Sequence, residues 1–389
     1  MMYLDNASTT KPKEEVVSAM MPYLVDKWYN PSGLYKEATK IKEDIEYARE
    51  TIADFIGAKS DEIYFTSCGS EGNCWAIDGF CKESFSRNRI PVVITTKIEH
   101  KSILECVKNS LCGTDGYYVI LRVDNKGFVD LISLQEDLEY YYNHMKADVL
   151  VSIQYANNEI GTIQDIQSIS KMVHKYEGIL HVDAVQAFGQ IPIDVKKLGI
   201  DMMTVSGHKV GCPKGIGFLY KSNNVNIKPL IYGTQMNGLR GGTENVAYIM
   251  GMARAVELLK DNEYNAYYES IKISSRRNYF MNMLKKRLGC SINGSFVDRL
   301  HNNINATFPQ NITSESLIYM LDISGMMASA GSACNSHTNE PSHVLKAIGL
   351  SNEEAMRTVR FTIDVDITDK EIDKVIDEIE KSIKLLTME

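Results

Sequence analysis

The side chains best able to do chemistry stand at the ends of short apolar runs. Ser206-Gly207-His208-Lys209 closes the run 202–205 with an amine, and Asp183, with Gln186 three residues on, follows the run 179–182. Glu99-His100 follows 91–96, Asn157-Asn158-Glu159 follows 149–154, and Ser67, Gly69 and Ser70 follow 62–66. Together these ends offer an amine, a carboxylate, an imidazole, an amide and a phosphate-type loop. Pyridoxal phosphate needs that set: a lysine for its aldehyde, an acid to keep its pyridine nitrogen protonated, and donors for its phosphate.

Each group has a place in that scheme. Asp183 would be a costly unpaired carboxylate beside an apolar strand, and a pyridinium partner removes the cost. Gln186 can hydrogen-bond the phenolic oxygen. Gly69 and Ser70 offer backbone N–H groups at a helix N-terminus, while Ser206 and His208 can add phosphate contacts. His100 can stack on the ring and relay protons. Singly, each residue has an ordinary alternative: a lysine after a strand is commonly a solvated charge, and an aspartate there a helix N-cap. Asp183-x-x-Gln186 with Ser-Gly-His-Lys209 closing the next strand is the specific part.

The elements that must place these groups follow from the hydrophobic pattern. Short apolar runs alternate with stretches of helical period, such as 166–176 with Ile166, Ile169, Ser170 and Val173 on one face. That alternation predicts an α/β domain with a mostly parallel central sheet. Ligands of such sheets sit beyond the carboxyl ends of the strands. Further helices are expected over 247–259 and 369–386. The chain of 389 residues exceeds one ordinary core. Residues 15–260 are assigned to a large domain; 1–14 and 261–389 form a smaller α/β domain, with the first dozen residues joining it or bridging the two.

Composition narrows the class. The chain is 44% hydrophobic and 24% charged with a formal net charge of -8, and no basic run marks a nucleic-acid face. No apolar run approaches the roughly 18–20 residues of a membrane span. The first residues lack the basic and apolar regions of a signal peptide, so a cytoplasmic location is expected. There the eight cysteines would be reduced. None forms a Cys-x-x-Cys pair, and no metal site is expected.

One cysteine stands apart. Cys334 lies in Ala328-Ser-Ala-Gly-Ser-Ala-Cys-Asn-Ser336, too small and polar to pack a core, which reads as an exposed loop. A thiol there suits nucleophilic use, provided neighbours favour its thiolate. Of the other seven, only Cys68 and Cys212 are placed near the cofactor. Arg360, opening the apolar run Arg-Phe-Thr-Ile363, suits capture of a substrate carboxylate. The remaining histidines, including His181 and His343, read as structural or surface groups.

The chain resembles the cysteine desulfurases of the iron–sulfur assembly, long-loop type, within the class V aminotransferases of PLP fold type I. The likeness runs from Tyr3-Leu-Asp-Asn-Ala-Ser-Thr-Thr10 through Thr96-Lys-Ile-Glu-His100, Asn157-Asn-Glu-Ile-Gly161, His181-Val-Asp-Ala-Val-Gln186 and Ser206-Gly-His-Lys209. It continues in Arg240-Gly-Gly-Thr243, the Cys334 loop with Glu340-Pro-Ser342, and Arg360-Phe-Thr362.

The resemblance implies that Lys209 is the Schiff-base lysine, Asp183 the pyridinium partner, Gln186 the ligand of the phenolic oxygen and His100 the ring-stacking group. Gly69, Ser70, Ser206 and His208 would bind phosphate, joined by Thr243 from the neighbouring subunit of a homodimer. Asn157 would contact cofactor and substrate, and with Arg360 would hold the carboxylate of L-cysteine. Cys334 would take the sulfur as a persulfide and pass it to an acceptor or scaffold protein for cluster assembly or thiolation. Departures from the family pattern fall at Tyr35, Ala38, Cys68 to Ser70, Met236, Asn237, Asp364 and Val365. The alternatives are a selenocysteine lyase or another class V PLP enzyme, and a non-catalytic relay protein that keeps the fold.

Overall fold

The computed structural model describes residues 1–145, 147–261, 263–331 and 340–387, with 263–267 by backbone alone. Its strands are β1 (Met2–Tyr3), β2 (Ile63–Thr66), β3 (Pro91–Thr96), β4 (Tyr117–Leu121), β5 (Asp148–Gln154), β6 (Ile179–Asp183), β7 (Met202–Ser206), β8 (Gly217–Lys221), β9 (Ser291–Ile292), β10 (Asn303–Thr307), β11 (Met326–Met327) and β12 (Thr358–Thr362). The largest sheet has the order β2-β8-β7-β6-β5-β3-β4. Strands β7, β6, β5, β3 and β4 are parallel, whereas β8 is antiparallel to both of its neighbours, β7 and β2. Two reversals cancel. β2 therefore points the same way as the parallel set, and all five chemistry-bearing strand ends open on one edge of the sheet.

The five anticipated strands are present to within a residue at either end. β4 and β8 were not legible. β4 lies at the sheet edge with Tyr117 and Tyr118 exposed, so it shows no buried run, and β8 opens on a glycine directly after a glycine-containing turn. Strands β3, β5, β6, β7 and β8 are buried on both faces along nearly their whole length, as parallel sheets require. The helix Ile166–Lys175 starts where the Asp165 side chain accepts from Ser168 N at 3.1 Å, and it buries Ile166, Ile169, Ser170 and Val173 as its period predicts.

A second hydrophobic core gathers Leu4, Phe280, Leu284, Phe308, Phe361, Ile376 and Ile379. It is built on the antiparallel sheet β12-β10-β9 and the parallel pair β1-β11. The helix Asp369–Leu386 covers it, begun by a Thr368–Glu371 capping box and burying Ile372, Val375, Ile376, Ile379 and Ile383. The outer edge of β12 is not left open: Asp5 bridges Thr362 and Ser329 bridges Arg360.

One polar rung crosses the main sheet inside its core. His181 on β6 is wholly buried between Ser152 Oγ on β5 and Thr204 Oγ1 on β7, both at 2.9 Å. Burial pushes this imidazole down to about 3, against about 6.5 in an unfolded chain. Below about pH 6.5 the unfolded chain takes up a proton that the fold refuses, so stability falls; above it the group is neutral in both states and contributes no pH dependence. His181→Leu strands two buried hydroxyls and is expected to cost about 2–3 kcal/mol at pH 7.5. Its stability should also decline less steeply than that of the wild type from pH 6.5 to 4.5. Urea unfolding at both pH values measures the two effects, and an unchanged slope would assign the acid sensitivity to other groups.

Candidate active site

The common edge of the sheet frames a cavity of about 310 Å³. Among its walls are Gly69, Ser70, His100, Asp183, Gln186, Ser206, His208, Lys209 and Arg360. Nine of the site residues expected from the sequence thus meet in one place. Cys68 lines it too, whereas Cys212 points into the core beneath the sheet, with its thiol 3.6 Å from Gly251 O and raised by burial to about 12. The expectation that Cys212 lies by the cofactor is corrected.

Asp183 ends β6 with its carboxylate buried. Oδ2 accepts from Asn73 Nδ2 at 2.8 Å and Oδ1 from Val185 N at 2.9 Å, and no salt bridge joins it to a cation among the described residues. Asn73 also donates to Ser102 Oγ at 3.0 Å. Ser102 in turn donates its backbone N–H to His100 Nδ1 at 3.1 Å, with His100 as the N-cap of the helix Lys101–Leu111. Nδ1 is therefore an acceptor, and the neutral ring carries its proton on Nε2. Burial lowers the His100 pKa; the Asp183 carboxylate opposes that and the Lys209 charge adds to it.

Lys209 follows β7 in a single 3-10 turn. Its Nζ donates to Ala7 O at 2.6 Å and Ser8 O at 2.7 Å, and Gln186 Nε2 donates to Ala7 O at 3.0 Å. The N-terminal segment is therefore a wall of the site. Beside it, burial and then the charges of Lys209 and Lys214 push His208 down to about 4, and its Nδ1 lies 3.1 Å from Thr9 Oγ1.

The helix Gly69–Ser86 opens on the cavity. It lies so close to the sheet that a Cβ on Gly69 would meet Val185 Cγ2 at 2.8 Å and one on Gly72 would meet Thr204 Cγ2 at 2.7 Å. Glu71 in its first turn would repel an anion. Although burial raises the Glu71 pKa, hydrogen bonds from Arg240 and Ser67 outweigh it and hold the carboxyl low, with Arg240 Nε 2.9 Å from Oε1. That pair cancels the charge and leaves the helix N-terminus free to favour an anion.

Arg360 is the third residue of β12, not its first. It is 1% exposed; Nη2 donates to Asp5 Oδ1 at 2.6 Å and Ser8 Oγ at 2.8 Å, and Nη1 to Asn158 O at 3.0 Å. Its Nε has no partner among the described residues, nor has Asn73 Oδ1.

Two of the expected site residues lie outside the cavity of a single chain, Thr243 among them, which the resemblance assigns to the neighbouring subunit's site. Asn157 is not among the cavity's lining residues. Its Oδ1 accepts from Glu159 N and Ile160 N, both at 2.8 Å, and its Nδ2 donates to Ile98 O at 3.1 Å, so the amide is spent on shaping the turn. Its neighbour Asn158 lines the cavity instead. Thr243 is exposed and does not reach the cavity. Cys334 lies outside the described residues.

Several wall residues were missed in the sequence. Asn73 stands four residues after Gly69, one turn along the same helix face, a spacing that could have marked it. Ala7, Ser8 and His343 come from distant parts of the chain and carried no such signal.

The class V aminotransferase model matches residues 2–375. The chain belongs to the class V aminotransferase family. It is 41% identical over 391 residues to a cysteine desulfurase IscS of Dictyoglomus turgidum, covering 99% of this chain and 95% of that one. It is 39% identical to a cysteine desulfurase IscS of Methanosarcina thermophila, covering 99% and 92%.

Among solved structures, a NifS-like protein superposes with a TM-score of 0.88 at 32% identity over 99% of this chain and all of that one. A NifS-like protein from Rickettsia africae gives 0.86 at 33%, covering 99% of each chain. SspA, described in complex with cysteine, gives 0.77 at 33% over 93% of this chain and 99% of its own. The family uses pyridoxal phosphate, and the cavity suits it. A buried, hydrogen-bonded carboxylate, an amine, a neutral imidazole and a helix N-terminus are the partners that cofactor needs.

The Arg360–Asp5 pair is central to this wall. Asp5→Asn leaves the buried guanidinium without its counter-charge and should destabilise the fold by about 2–3 kcal/mol. Urea unfolding of the two proteins measures it. A loss below a few tenths of a kcal/mol would mean that Ser8 Oγ and Asn158 O satisfy the cation by themselves.

Proposed function

We propose that the protein is a cysteine desulfurase that takes the sulfur of L-cysteine onto Cys334 as a persulfide and leaves L-alanine. The observation that carries this is the convergence of Lys209, Asp183, His100, the Gly69 helix N-terminus and Arg360 on one cavity. Lys209 would hold the cofactor aldehyde, Asp183 its ring nitrogen, Gln186 its phenolic oxygen, and Gly69, Ser70, Ser206 and His208 its phosphate. Pyridoxal phosphate, when bound, supplies an electron sink at the substrate's α-carbon.

The chain's own groups do the rest. Arg360 binds the substrate carboxylate. The Lys209 amine would move the α-proton. His100 would stack on the cofactor ring and, neutral through burial, could accept and return a proton. The Cys334 thiolate attacks the substrate sulfur: an S–S bond forms, the Cβ–S bond breaks with its electron pair going to carbon, and that carbon is protonated to give alanine.

The acceptor is a sulfur-receiving or scaffold protein of cluster assembly or thiolation, and the compartment is the cytoplasm. No described helix is long and apolar enough to cross a membrane. A homodimer would bring Thr243 of one subunit to the phosphate of the other. It is supported by the exposed Met21, Leu24, Val25, Trp28 and Leu34, a run of apolar surface on and after the helix Glu14–Val25. Tyr35, Ala38, Met236, Asn237, Asp364 and Val365 do not line the cavity, so these departures act on surroundings and partners rather than on the chemistry.

Purified protein should be yellow, lose that absorbance in Lys209→Ala, and release sulfide and alanine in equal amounts from L-cysteine with a reductant present. Cys334→Ala should keep the absorbance while sulfide release falls to the uncatalysed background. Sulfide release at the wild-type rate by that variant would remove Cys334 as the acceptor, and no alanine from the wild type would remove the desulfurase.

A further inference from the structure

His343 has no role in the scheme above, yet it lines the cavity with His100, Lys101, Glu159 and Arg360. It opens the short helix His343–Ala347 in the segment that follows the Cys334 loop. Its ring is fixed from one side. Nε2 lies 2.9 Å from Glu99 O, a carbonyl that can only accept, so Nε2 carries the proton and Nδ1 is left with a lone pair.

The backbone is held as well. Ser342 caps the helix through Val344 N at 3.2 Å and Leu345 N at 3.3 Å, and donates its hydroxyl to the buried Glu159 Oε2 at 2.5 Å. Nδ1 itself has no hydrogen-bond partner among the described residues. A buried acceptor left unpaired in a rigid setting is uncommon and calls for a partner that arrives later.

Another orphan on the same walls, Arg360 Nε, is a donor. A cavity that offers a cationic donor and an unpaired acceptor is complementary to a molecule bearing an anion and a hydrogen-bond donor. A carboxylate and a thiol on one small amino acid satisfy both.

We propose that His343 is a specificity-determining residue whose Nδ1 accepts a hydrogen bond from the side-chain S–H of bound cysteine. The inference rests on the desulfurase reading for its ligand. The contact holds the sulfhydryl in one orientation and distinguishes cysteine from its product, because alanine has no side-chain donor. Loss of product affinity relative to substrate follows from the same geometry.

The test is carried out on the holoenzyme, with binding followed by the change in cofactor absorbance. His343→Gln keeps an amide N–H within reach of Glu99 O but removes the acceptor at the Nδ1 position. His343→Asn places a carbonyl oxygen nearest that position. The Gln variant should weaken L-cysteine binding and raise its KM roughly five- to tenfold, the worth of one hydrogen bond, with L-alanine binding within about twofold of wild type by the same measure. The Asn variant should recover part of the cysteine preference.

Equal weakening of cysteine and alanine would make His343 a structural support and overturn the proposal, as would unchanged cysteine binding in His343→Gln. If the Gln variant does not fold, the same comparison in the Asn variant decides: a cysteine-to-alanine preference unchanged or partly kept supports the acceptor, and its complete loss overturns it. Failure of the desulfurase reading shows separately, as wild-type protein that binds cysteine and yields no alanine; the binding ratio still decides on His343.

Discussion

A guanidinium withdrawn from water must be ringed by acceptors, and Arg360 finds them on two parts of the chain remote from its own strand. Asp5 and Ser8 come from the N-terminal segment, the Asn158 carbonyl from the turn after β5, and Arg360 itself from β12. An uncompensated buried charge is far more costly than a paired one. The N-terminal segment, the main sheet and the C-terminal sheet are therefore bound to assemble together. The same segment then holds Lys209 and Gln186 through the Ala7 and Ser8 carbonyls and donates the Thr10 hydroxyl to His208 O. One ion pair thus sets the distance between the amine and the guanidinium that the proposed chemistry needs.

Around that tie, the polar groups of the cavity are arranged by what burial does to them. Asp183, His100, Ser102 and Asn73 form a connected set, so the carboxylate is hydrogen-bonded without being neutralised. His100 and His208 are both kept neutral by burial with help from the Lys209 charge. Glu99, wholly buried beside them, is pushed up to about 8, first by burial and also by the Asp183 charge. With both histidines neutral, the charges that face the cavity are carried by Asp183, Lys209 and the side chains of Lys101, Glu159 and Arg360. A cofactor with a basic ring nitrogen and an electrophilic aldehyde would find Asp183 and Lys209 as complementary partners within that set.

The residues near the strand ends were legible because a parallel sheet sends its functional side chains to one edge, and apolar runs reveal where strands stop. That logic held for β2 only through the antiparallel β8, which was itself invisible in the sequence. Asn157 shows the limit of the approach. Its position after β5 matched expectation, but which of two adjacent asparagines faces the cavity depends on how the turn spends its hydrogen bonds. His343 shows the converse: the order of residues near it reads as an ordinary short helix, and only the approach of Glu99 O across 244 positions makes it part of the wall.

By itself, the sequence determined the fold class, the sheet-edge cavity and the amine, carboxylate, imidazole and helix N-terminus that meet there, because hydrophobic period and strand-end position are local properties. It likewise singled out Cys334 by the small polar residues around it. Only the tertiary structure decided that Ala7 and Ser8 wall the site with Asp5 pairing Arg360 behind them, that Asn73 holds Asp183, and that Arg240 silences Glu71. Those contacts join residues far apart in the chain, and their partners are chosen by the need to satisfy buried charges and lone pairs, a requirement that no local pattern records.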